Sequence, residues 1–407
     1  MTITTTRSTT SSIAPEAHSG GFTVGYRQLS EAVRATAVAA KSKVLPVLAR
    51  VLVDSDQDGA RLTAFNFDTA ITVELDGGTE RTRGRMLIEH AVFTRVLAAA
   101  VKGSTKRHLD ELEVRLDVID GVPTVHVDGY AVPVGAAFTA DQFPALPPAT
   151  LATHVLDRVA FTALFERCRG AADRGATLPI LTAVRLDLEA DVCVATATDR
   201  YRLATGSVPA RGTRSETVLA PADTVATVLH HLSGSDLAIG TDSIEGSEWL
   251  TVQSGSVTAR IRTVAGTYPS VATVISTSGG PLTVTVPRAA LAAAATKAAA
   301  ITTAAADKRT PARVVVGPDG ITIEPGSSAG RACTAPAVPA QVEHHTQTWV
   351  AGVNPAFFVD AVNSFDADEV TLHLGDPARP MVLTAAGELN ESTAAFRHVL
   401  MPVRFAH

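Results

Sequence analysis

Apolar and polar residues alternate most regularly in three segments of the chain, each of which begins close to a proline. The segments are KVLPVLARVLVDSDQDGARLTAFNFDTAITV from Lys43, TLPILTAVRLDLEADVCVATATDRYRLAT from Thr177 and RTPARVVVGPDGITIEPGS from Arg309. Each contains two alternating runs separated by a short turn, which predicts a β-hairpin. The prolines recur about every 130 residues, at Pro46, Pro179 and Pro311.

A second set of prolines repeats with a similar period. These are Pro144 in QFPALPP, Pro269 in TYPSVATVI and Pro402 in HVLMPVRF. Two landmarks with one long period predict three similar domains rather than a solenoid, whose repeats are much shorter. We place the domains at 21–150, 151–279 and 280–407, after a Thr/Ser-rich tail at 1–20 that we expect to be disordered.

A helical pattern precedes the first hairpin. In YRQLSEAVRATAVAAKSK, one side of the predicted helix is apolar and carries Leu29, Ala32, Val33, Ala37 and Ala40. EHAVFTRVLAAAVKG, PADTVATVLHHL and NPAFFVDAVNSF predict a further helix in each domain, whereas LEVRLDVIDGVPTVHVDGYAVPV, LTVTVP and DEVTLHLGD predict strands. The fold class is therefore α+β, with more strand than helix.

Several basic residues are spaced so that they share one helix face. The sets are Arg27, Arg34 and Lys41, then Arg95, Lys102 and Lys106, then Arg158 and Arg169, and finally Lys297 and Lys308. An ordinary solvated face is the alternative for each helix. The chain has 35 basic and 41 acidic residues and a net charge of −6. This balance argues against a surface that binds nucleic acid everywhere, but it permits a basic stripe on one face.

The cysteines and the terminus indicate the compartment. Cys168, Cys193 and Cys333 are far apart and form no CxxC pair, so we expect neither a metal site nor a disulfide, and a reduced cytoplasmic location. The N-terminus has no apolar segment typical of a signal peptide. The Ala-rich stretch AALAAAATKAAAITTAAA is too weakly apolar to span a membrane.

The sequence contains little that indicates catalysis. HExxH, GxxxxGKS and GxGxxG are all missing from it. A metal-dependent nuclease using Asp68, Asp187 and Asp199 is a rival interpretation. However, Asp68 and Asp199 occupy equivalent places in two repeats, which favours a turn role. We therefore predict no catalytic residues, no cofactor and no metal.

The stretch TATDRYRLAT, residues 196–205, concentrates hydrogen-bonding groups between two apolar patches. Arg200 and Arg202 alternate with Tyr201 and Leu203, as on a strand or its edge. A groove with apolar walls and a few fixed polar groups suits a short peptide. A purely structural pairing of Arg202 with Asp199 is the alternative.

ATDRYRLA after PILTAVRLDLE, followed by GTYPSVATVI and a terminal VLMPVRF, resembles the bacterial β sliding clamp, the processivity subunit of DNA polymerase III. FTADQFPALPP falls in the same order, and the resemblance runs from about Phe22 to the end. It implies three domains of the DNA-clamp fold and a head-to-tail homodimer that closes a ring around duplex DNA, with helices inside and sheets outside. It also implies a processivity factor in DNA replication, without an active site of its own.

The family binds polymerase, clamp loader and repair proteins through short peptides. Transferred by motif, the peptide pocket comprises Leu181, Thr198, Tyr201, Arg202, Leu203, Pro269, Val274, Asn354, Phe357, Pro380, Val399, Leu400, Met401, Pro402, Val403 and Arg404. The resemblance places the aligned basic residues toward DNA, namely Arg27, Arg34, Lys41, Arg95, Lys102, Arg158, Arg169, Arg174, Lys297 and Lys308.

The chain departs from the family pattern near the expected pocket. Thr273 and Ser276 occur where the family usually has an Arg and a later Pro, and the chain ends in Phe405, Ala406 and His407 rather than with a Leu close to the end. Two alternatives therefore stay open. One is a specialised, paralogous clamp with altered partner or inhibitor binding, and the other is a clamp-fold interaction scaffold that does not encircle DNA.

Overall fold

The structure is a computed structural model, and it describes residues 21–42, 44–135, 138–148, 150–175, 178–306, 310–327, 333–345, 347–388 and 395–404. The predicted tail at 1–20 lies outside these residues. The chain divides into two compact units. The first comprises Met1–Pro147 and Ser256–Ala259, and the second comprises Pro148–Gly255 and Arg260–His407. The domain boundaries expected at 150 and 279 stay predictions.

The first unit is mainly antiparallel sheet. Its strands are β1 (Gly21–Gly25), β2 (Arg50–Ser55), β3 (Ala60–Phe65), β4 (Thr69–Leu75), β5 (Thr79–Thr82), β6 (Gly84–Glu89), β7 (Glu113–Ile119), β8 (Val122–Val127) and β9 (Tyr130–Pro133). Its helices are α1 (Tyr26–Thr36), α2 (His90–Ala100) and α3 (Lys106–Glu111). One sheet has the order β5-β1-β7-β8-β9, and β6-β2-β3-β4 are paired in a second.

The second unit repeats this plan in a longer chain segment. Its strands are β10 (His154–Asp157), β11 (Ala183–Leu188), β12 (Val192–Thr198), β13 (Arg202–Gly212), β14 (Glu216–Pro221), β15 (Asp236–Ile244), β16 (Ser247–Ser254), β17 (Val257–Arg262, which contains a division between the units), β18 (Leu282–Pro287), β19 (Ala312–Gly317), β20 (Gly320–Glu324), β21 (Val338–Pro339), β22 (Gln341–Glu343), β23 (Trp349–Val353), β24 (Glu369–Leu374), β25 (Met381–Ala385) and β26 (Phe396–Leu400). Its helices are α4 (Arg158–Arg169), α5 (Ala222–Leu229), α6 (Ala272–Thr277), α7 (Arg288–Ala305) and α8 (Pro355–Asn363).

The three hairpins expected from the alternating pattern are confirmed as β2–β3, β11–β12 and β19–β20. Pro46 and Pro179 begin short 3-10 helices before the first two hairpins. Proline suits this position, because the first turn of a helix leaves its N–H groups unpaired.

One antiparallel sheet of the second unit positions the candidate site. Its strands are ordered β14-β11-β12-β13-β26-β25-β24-β18. The central pairing joins β13 to β26, with Arg202 opposite Leu400 and Leu203 opposite Val399. The chain segment 399–404 is thereby brought beside the TATDRYRLAT segment, although almost 200 residues separate them in sequence.

Two predicted helices end earlier than their apolar patterns indicated. Helix α1 ends at Thr36, and the N–H groups of Ala37, Val38 and Ala39 bond to carbonyls three residues back, so Lys41 lies beyond the helix. Helix α2 ends at Ala100. Lys102 follows it in a turn that precedes Gly103, whose φ of 87° stops the helix, and Lys106 begins the separate helix α3. The expected single faces are therefore wrong at these positions.

Candidate functional site

The turn between β12 and β13 is held by side-chain hydrogen bonds. The Asp199 Oδ1 accepts the N–H groups of Tyr201 and Arg202, each at 2.9 Å. The Thr198 hydroxyl donates to the carbonyl of Arg202 at 2.7 Å and accepts the N–H of Arg200 at 3.1 Å. Arg200 has a φ of 77°, so Arg200 and Tyr201 belong to a turn and do not alternate along a strand as expected.

The same turn in the first unit corrects the assignment of Asp68. Between β3 and β4, the Asn66 Oδ1 accepts the N–H groups of Asp68 and Thr69. Asn66 is therefore the equivalent of Asp199, and the residue after it, Phe67, also has a positive φ, of 71°. Both Asn and Asp suit this role because their short side chains bond to the backbone two and three residues ahead.

Arg202 lies at the centre of the site and is only 5% exposed. Its Nε donates to the Asp199 Oδ2 at 2.9 Å, and its Nη1 donates to the Asp360 Oδ2 at 2.6 Å. Its guanidinium carbon lies 4.3 Å from the ring centre of Phe357. A buried arginine needs such partners, because an unpaired buried charge is very costly. The structural pairing with Asp199 and a place in the groove are thus both present.

The end of the chain closes the site along one side. The N–H of Met401 donates to the carbonyl of Tyr201 at 2.9 Å, and the N–H of Val403 donates to the carbonyl of Gly352 at 2.8 Å. The first bond continues the β13–β26 pairing past Leu400, and the second joins the chain to β23. The last described residues therefore run between the turn on one side and strand β23 on the other.

Two cavities open beside this segment, and Met401 lines both. The first has a volume of about 200 Å³ and is largely apolar. Its lining residues are Thr198, Arg200, Arg202, Leu203, Pro269, Ser270, Val271, Val274, Val399 and Met401. The second has a volume of about 500 Å³. It is lined by Tyr201, Val353, Asn354, Phe357, Leu400, Met401, Pro402, Val403 and Arg404.

The wall of the first cavity is anchored by Tyr268. The Tyr268 hydroxyl oxygen accepts the N–H of Thr198 at 3.0 Å, and its ring lies in a core cluster with Ala183 and Leu219. Burial raises the pKa of the Tyr268 phenol well above its usual value, so the group stays neutral. The chain then continues into α6, where Val274 contacts the buried cluster that contains Leu203.

The second cavity has an aromatic wall. The rings of Tyr201 and Phe357 lie 6.4 Å apart with an interplanar angle of 33°. Phe357 is positioned by the start of α8, where the Asn354 Oδ1 accepts the N–H groups of Ala356 and Phe357. Asn354 is therefore a helix N-cap, a role for which asparagine is strongly preferred.

The structure brings together every residue expected in the pocket except two. Leu181 is fully buried in the core, and Pro380 accepts the N–H of Gly279 through its carbonyl; neither lines either cavity. Sequence reasoning missed Arg200, Ser270, Val271 and Val353, which the cavities include. Arg200 lies within TATDRYRLAT, Ser270 and Val271 lie within TYPSVATVI, and Val353 directly precedes Asn354. Their position in or beside these motifs is the signal that could have found them.

The basic residues of the first unit that were expected to face DNA are exposed. Arg27 is paired with Asp110, whereas the guanidinium of Arg34 donates to the backbone carbonyl and hydroxyl of Ser30. Lys41, Arg95 and Lys102 are also exposed.

In the second unit, Arg169 donates to Glu166 at 2.8 Å and to Asp223 at 3.0 Å. The Arg158 Nε donates to the carbonyl of Gly234 at 2.6 Å. Arg174 and Lys297 are exposed, and Lys308 lies outside the described residues. Arg169 is therefore already neutralised by carboxylates, whereas Arg174 and Lys297 are exposed to a polyanion.

Several titratable groups outside the two cavities are deeply buried or paired. Burial raises the pKa of the Cys193 thiol to about 12 and that of Cys168 further, so neither is a nucleophile. Asp187 is paired with Arg185 at 2.8 Å. Within the described residues, no group of three or more His, Cys, Asp or Glu could hold a metal ion. No helix in that part of the chain is long and apolar enough to cross a membrane.

Comparisons with known proteins agree on one family. The family profile described as DNA polymerase III beta subunit, central domain, matches residues 155–270. The β sliding clamp of Streptomyces coelicolor is similar at 27% identity over 378 residues, covering 89% of this chain and 93% of that protein. The β sliding clamp homolog GriR of Streptomyces muensis is 26% identical over 228 residues, covering 55% of this chain and 58% of that protein.

The fold agrees with the same assignment. The crystal structure of a Pseudomonas aeruginosa sliding clamp, solved bound to griselimycin, matches with a TM-score of 0.81 at 16% identity and covers 95% of this chain and 100% of that chain. The expected α+β DNA-clamp fold is thereby confirmed. Residues 155–270 therefore belong to the family of the DNA polymerase III beta subunit central domain, and the chain as a whole is similar to bacterial β sliding clamps.

Proposed function

We propose that the protein encircles duplex DNA as a head-to-tail homodimer and tethers the replicative polymerase and other partners to it for processive synthesis. The observation that carries the proposal is the pair of cavities that meet at Met401, formed where the family motifs converge. Clamp loader and repair proteins are further candidate partners, each through a short clamp-binding peptide.

The cavities have the chemistry that a short peptide needs. The first is bounded by Leu203, Val274 and Val399, and the second by the ring faces of Tyr201 and Phe357. Apolar peptide side chains would be desolvated there, while the few polar groups at the margin would fix the orientation. Met401 is partly exposed between the two cavities, and a flexible thioether can adapt to several partners.

Exposed basic residues such as Arg34, Arg95 and Lys297 support sequence-independent DNA binding. Each contact with a phosphate releases counterions and adds affinity that falls with salt concentration. A protein that must slide should make few such contacts, and the net charge of −6 suits a weak, local attraction. We propose no active site, cofactor or metal, and a location in the cytoplasm.

The decisive test is topological. The protein would be incubated with a cognate clamp loader, ATP and nicked circular DNA, washed at high salt, and the DNA then linearised. Retention on the circle with release from the linear form is the expected result for a closed ring. Loss from both forms, with a loader verified on another clamp, would refute encirclement and favour the scaffold alternative.

A specialised clamp is the second candidate. The likeness to the homolog GriR and the changes at Thr273 and Ser276 beside the first cavity support it. Binding of griselimycin to this chain and to the Streptomyces coelicolor clamp can be compared by calorimetry. Equal affinity for the two proteins would count against a shifted inhibitor preference.

A further inference from the structure

We propose that Arg200 and Arg404 select peptides in which an acidic residue flanks an apolar anchor. This inference rests on the proposed function, since it names the chemistry of the peptide that the two cavities take. Arg200 lines the first cavity and Arg404 lines the second. The occupant to which we commit is a short segment of a partner protein.

The lining of the cavities is asymmetric in charge. It includes the arginines Arg200, Arg202 and Arg404, but no Asp or Glu among the residues described. Arg202 cannot attract a further anion, because Asp199 and Asp360 already compensate its charge. One arginine and two aspartates give these three groups a formal charge of −1.

Arg200 and Arg404 differ from Arg202 in exposure and in pairing. Both are exposed, and within the described part of the chain no carboxylate forms an ion pair with either of them. An acidic peptide residue is therefore attracted beside Arg200 or Arg404 and repelled beside Asp360. The structure thus predicts a preference that depends on position along the peptide, not a general preference for anionic ligands.

The backbone at Arg200 fixes where its charge enters the groove. Its φ of 77° is one that residues other than glycine rarely adopt. The conformation is maintained by the Arg200 N–H bond to the Thr198 hydroxyl and by the bonds of Asp199 to the next two N–H groups. The guanidinium consequently extends from a fixed point at the rim of the first cavity.

The peptides can be obtained without assuming their sequence. A display library of random twelve-residue peptides would be selected against the full chain, and enriched peptides would be synthesised in pairs with Glu or Gln at the acidic position. Exposed ion pairs are worth little individually, so we expect a Glu preference of roughly threefold for each arginine. Raising the salt concentration should reduce this preference.

Variants then assign the preference to its source. Arg200→Ala should abolish the preference beside the first cavity, Arg200→Lys should retain most of it, and Arg200→Glu should reverse it in favour of a Lys-containing peptide. Arg404→Ala should act in the same way on the second cavity. Arg83→Glu is the matched control, because Arg83 is exposed between β5 and β6, lines neither cavity and gives the same change in net charge.

The outcomes separate this inference from the proposed function. Suppose that the peptides compete with one another and that Met401→Ala weakens their binding, but that the Glu and Gln versions bind equally. The peptide groove is then supported and the charge selection is wrong. An equal loss in Arg200→Glu and Arg83→Glu would also overturn the selection. If no peptide is enriched, or if Met401→Ala leaves binding unchanged, both the groove and the selection fail.

Discussion

The hydrogen bond between Tyr268 and Thr198 offers a direct test of how the groove is supported. The Thr198 N–H is buried at the end of β12, and its partner is the Tyr268 hydroxyl oxygen at 3.0 Å. Tyr268→Phe removes this acceptor and keeps the ring, which is only 8% exposed and packs against Ala183 and Leu219. A buried donor without a partner costs about 1–3 kcal/mol.

The expected loss can be measured by urea unfolding. With a denaturant dependence of about 3 kcal/mol per molar urea, the midpoint should fall by roughly 0.3–1 M. Peptide affinity should also fall, by about two- to fivefold, because Thr198 bonds to Arg200 and Arg202 through its hydroxyl. Fluorescence polarisation with a selected peptide would report this second effect.

Tyr130→Phe is the matched control for this experiment. Tyr130 is 66% exposed, and no hydrogen bond of its hydroxyl is present in the described part of the chain. We expect its unfolding midpoint and peptide affinity to stay at the values of the unsubstituted protein. If Tyr268→Phe behaves like Tyr130→Phe in both assays, the bond does not support the groove and the reasoning is refuted.

Three further predictions follow from single side chains. Asp360→Asn should lower the free energy of unfolding by about 1 kcal/mol, since its partner arginine is buried but Asp360 is partly exposed; an equal effect of exposed Asp366→Asn in urea unfolding would contradict this. Burial and a nearby arginine lower the pKa of His398 to about 3, so its stabilising effect is complete above the unfolded pKa of about 6.5 and is lost progressively below it, by about 1.4 kcal/mol per pH unit. The urea midpoint should therefore depend less steeply on pH in His398→Gln. An unchanged dependence on pH would contradict the assignment of this effect to His398. Arg34→Ala should reduce the salt slope of DNA binding by up to about 0.9, and Arg169→Ala by clearly less because carboxylates already hold Arg169; equal slopes would show that local pairing does not govern DNA contact.

The period-two pattern predicted the hairpins because each strand has one buried and one exposed face. The turn between β12 and β13 was misassigned for a related reason. Arg200 and Tyr201 continue the alternation of residue types, and the positive φ of Arg200 leaves no trace in that pattern. The end of α1 was misplaced as well, since alanine-rich sequence continues past Thr36 and marks no stop. For α2 the error was different, because the expected face with Lys102 and Lys106 was extended past Gly103, which does mark a stop.

Most of the candidate site was predicted through motifs rather than through geometry. The pairing of Arg202 with Asp360 links residues 158 positions apart, and no local pattern specifies it. The bond between Val403 and Gly352 likewise joins the chain end to β23 over about 50 residues. Long-range pairings of this kind depend on the register of several strands, which the sequence of each strand alone does not determine.

The register of β13 against β26 explains why two distant motifs form one groove. Arg202 opposite Leu400 and Leu203 opposite Val399 place alternate residues of both strands on the same face. A shift by one residue would move Leu203 and Val399 to the other face and bury different side chains. The core cluster of Leu203, Val382 and Val399 opposes such a shift, so the packing that stabilises the sheet also sets the position of Met401 between the cavities. Sequence changes can therefore alter the exposed rim, as at Arg200, while the floor of the groove and the strand pairing stay the same.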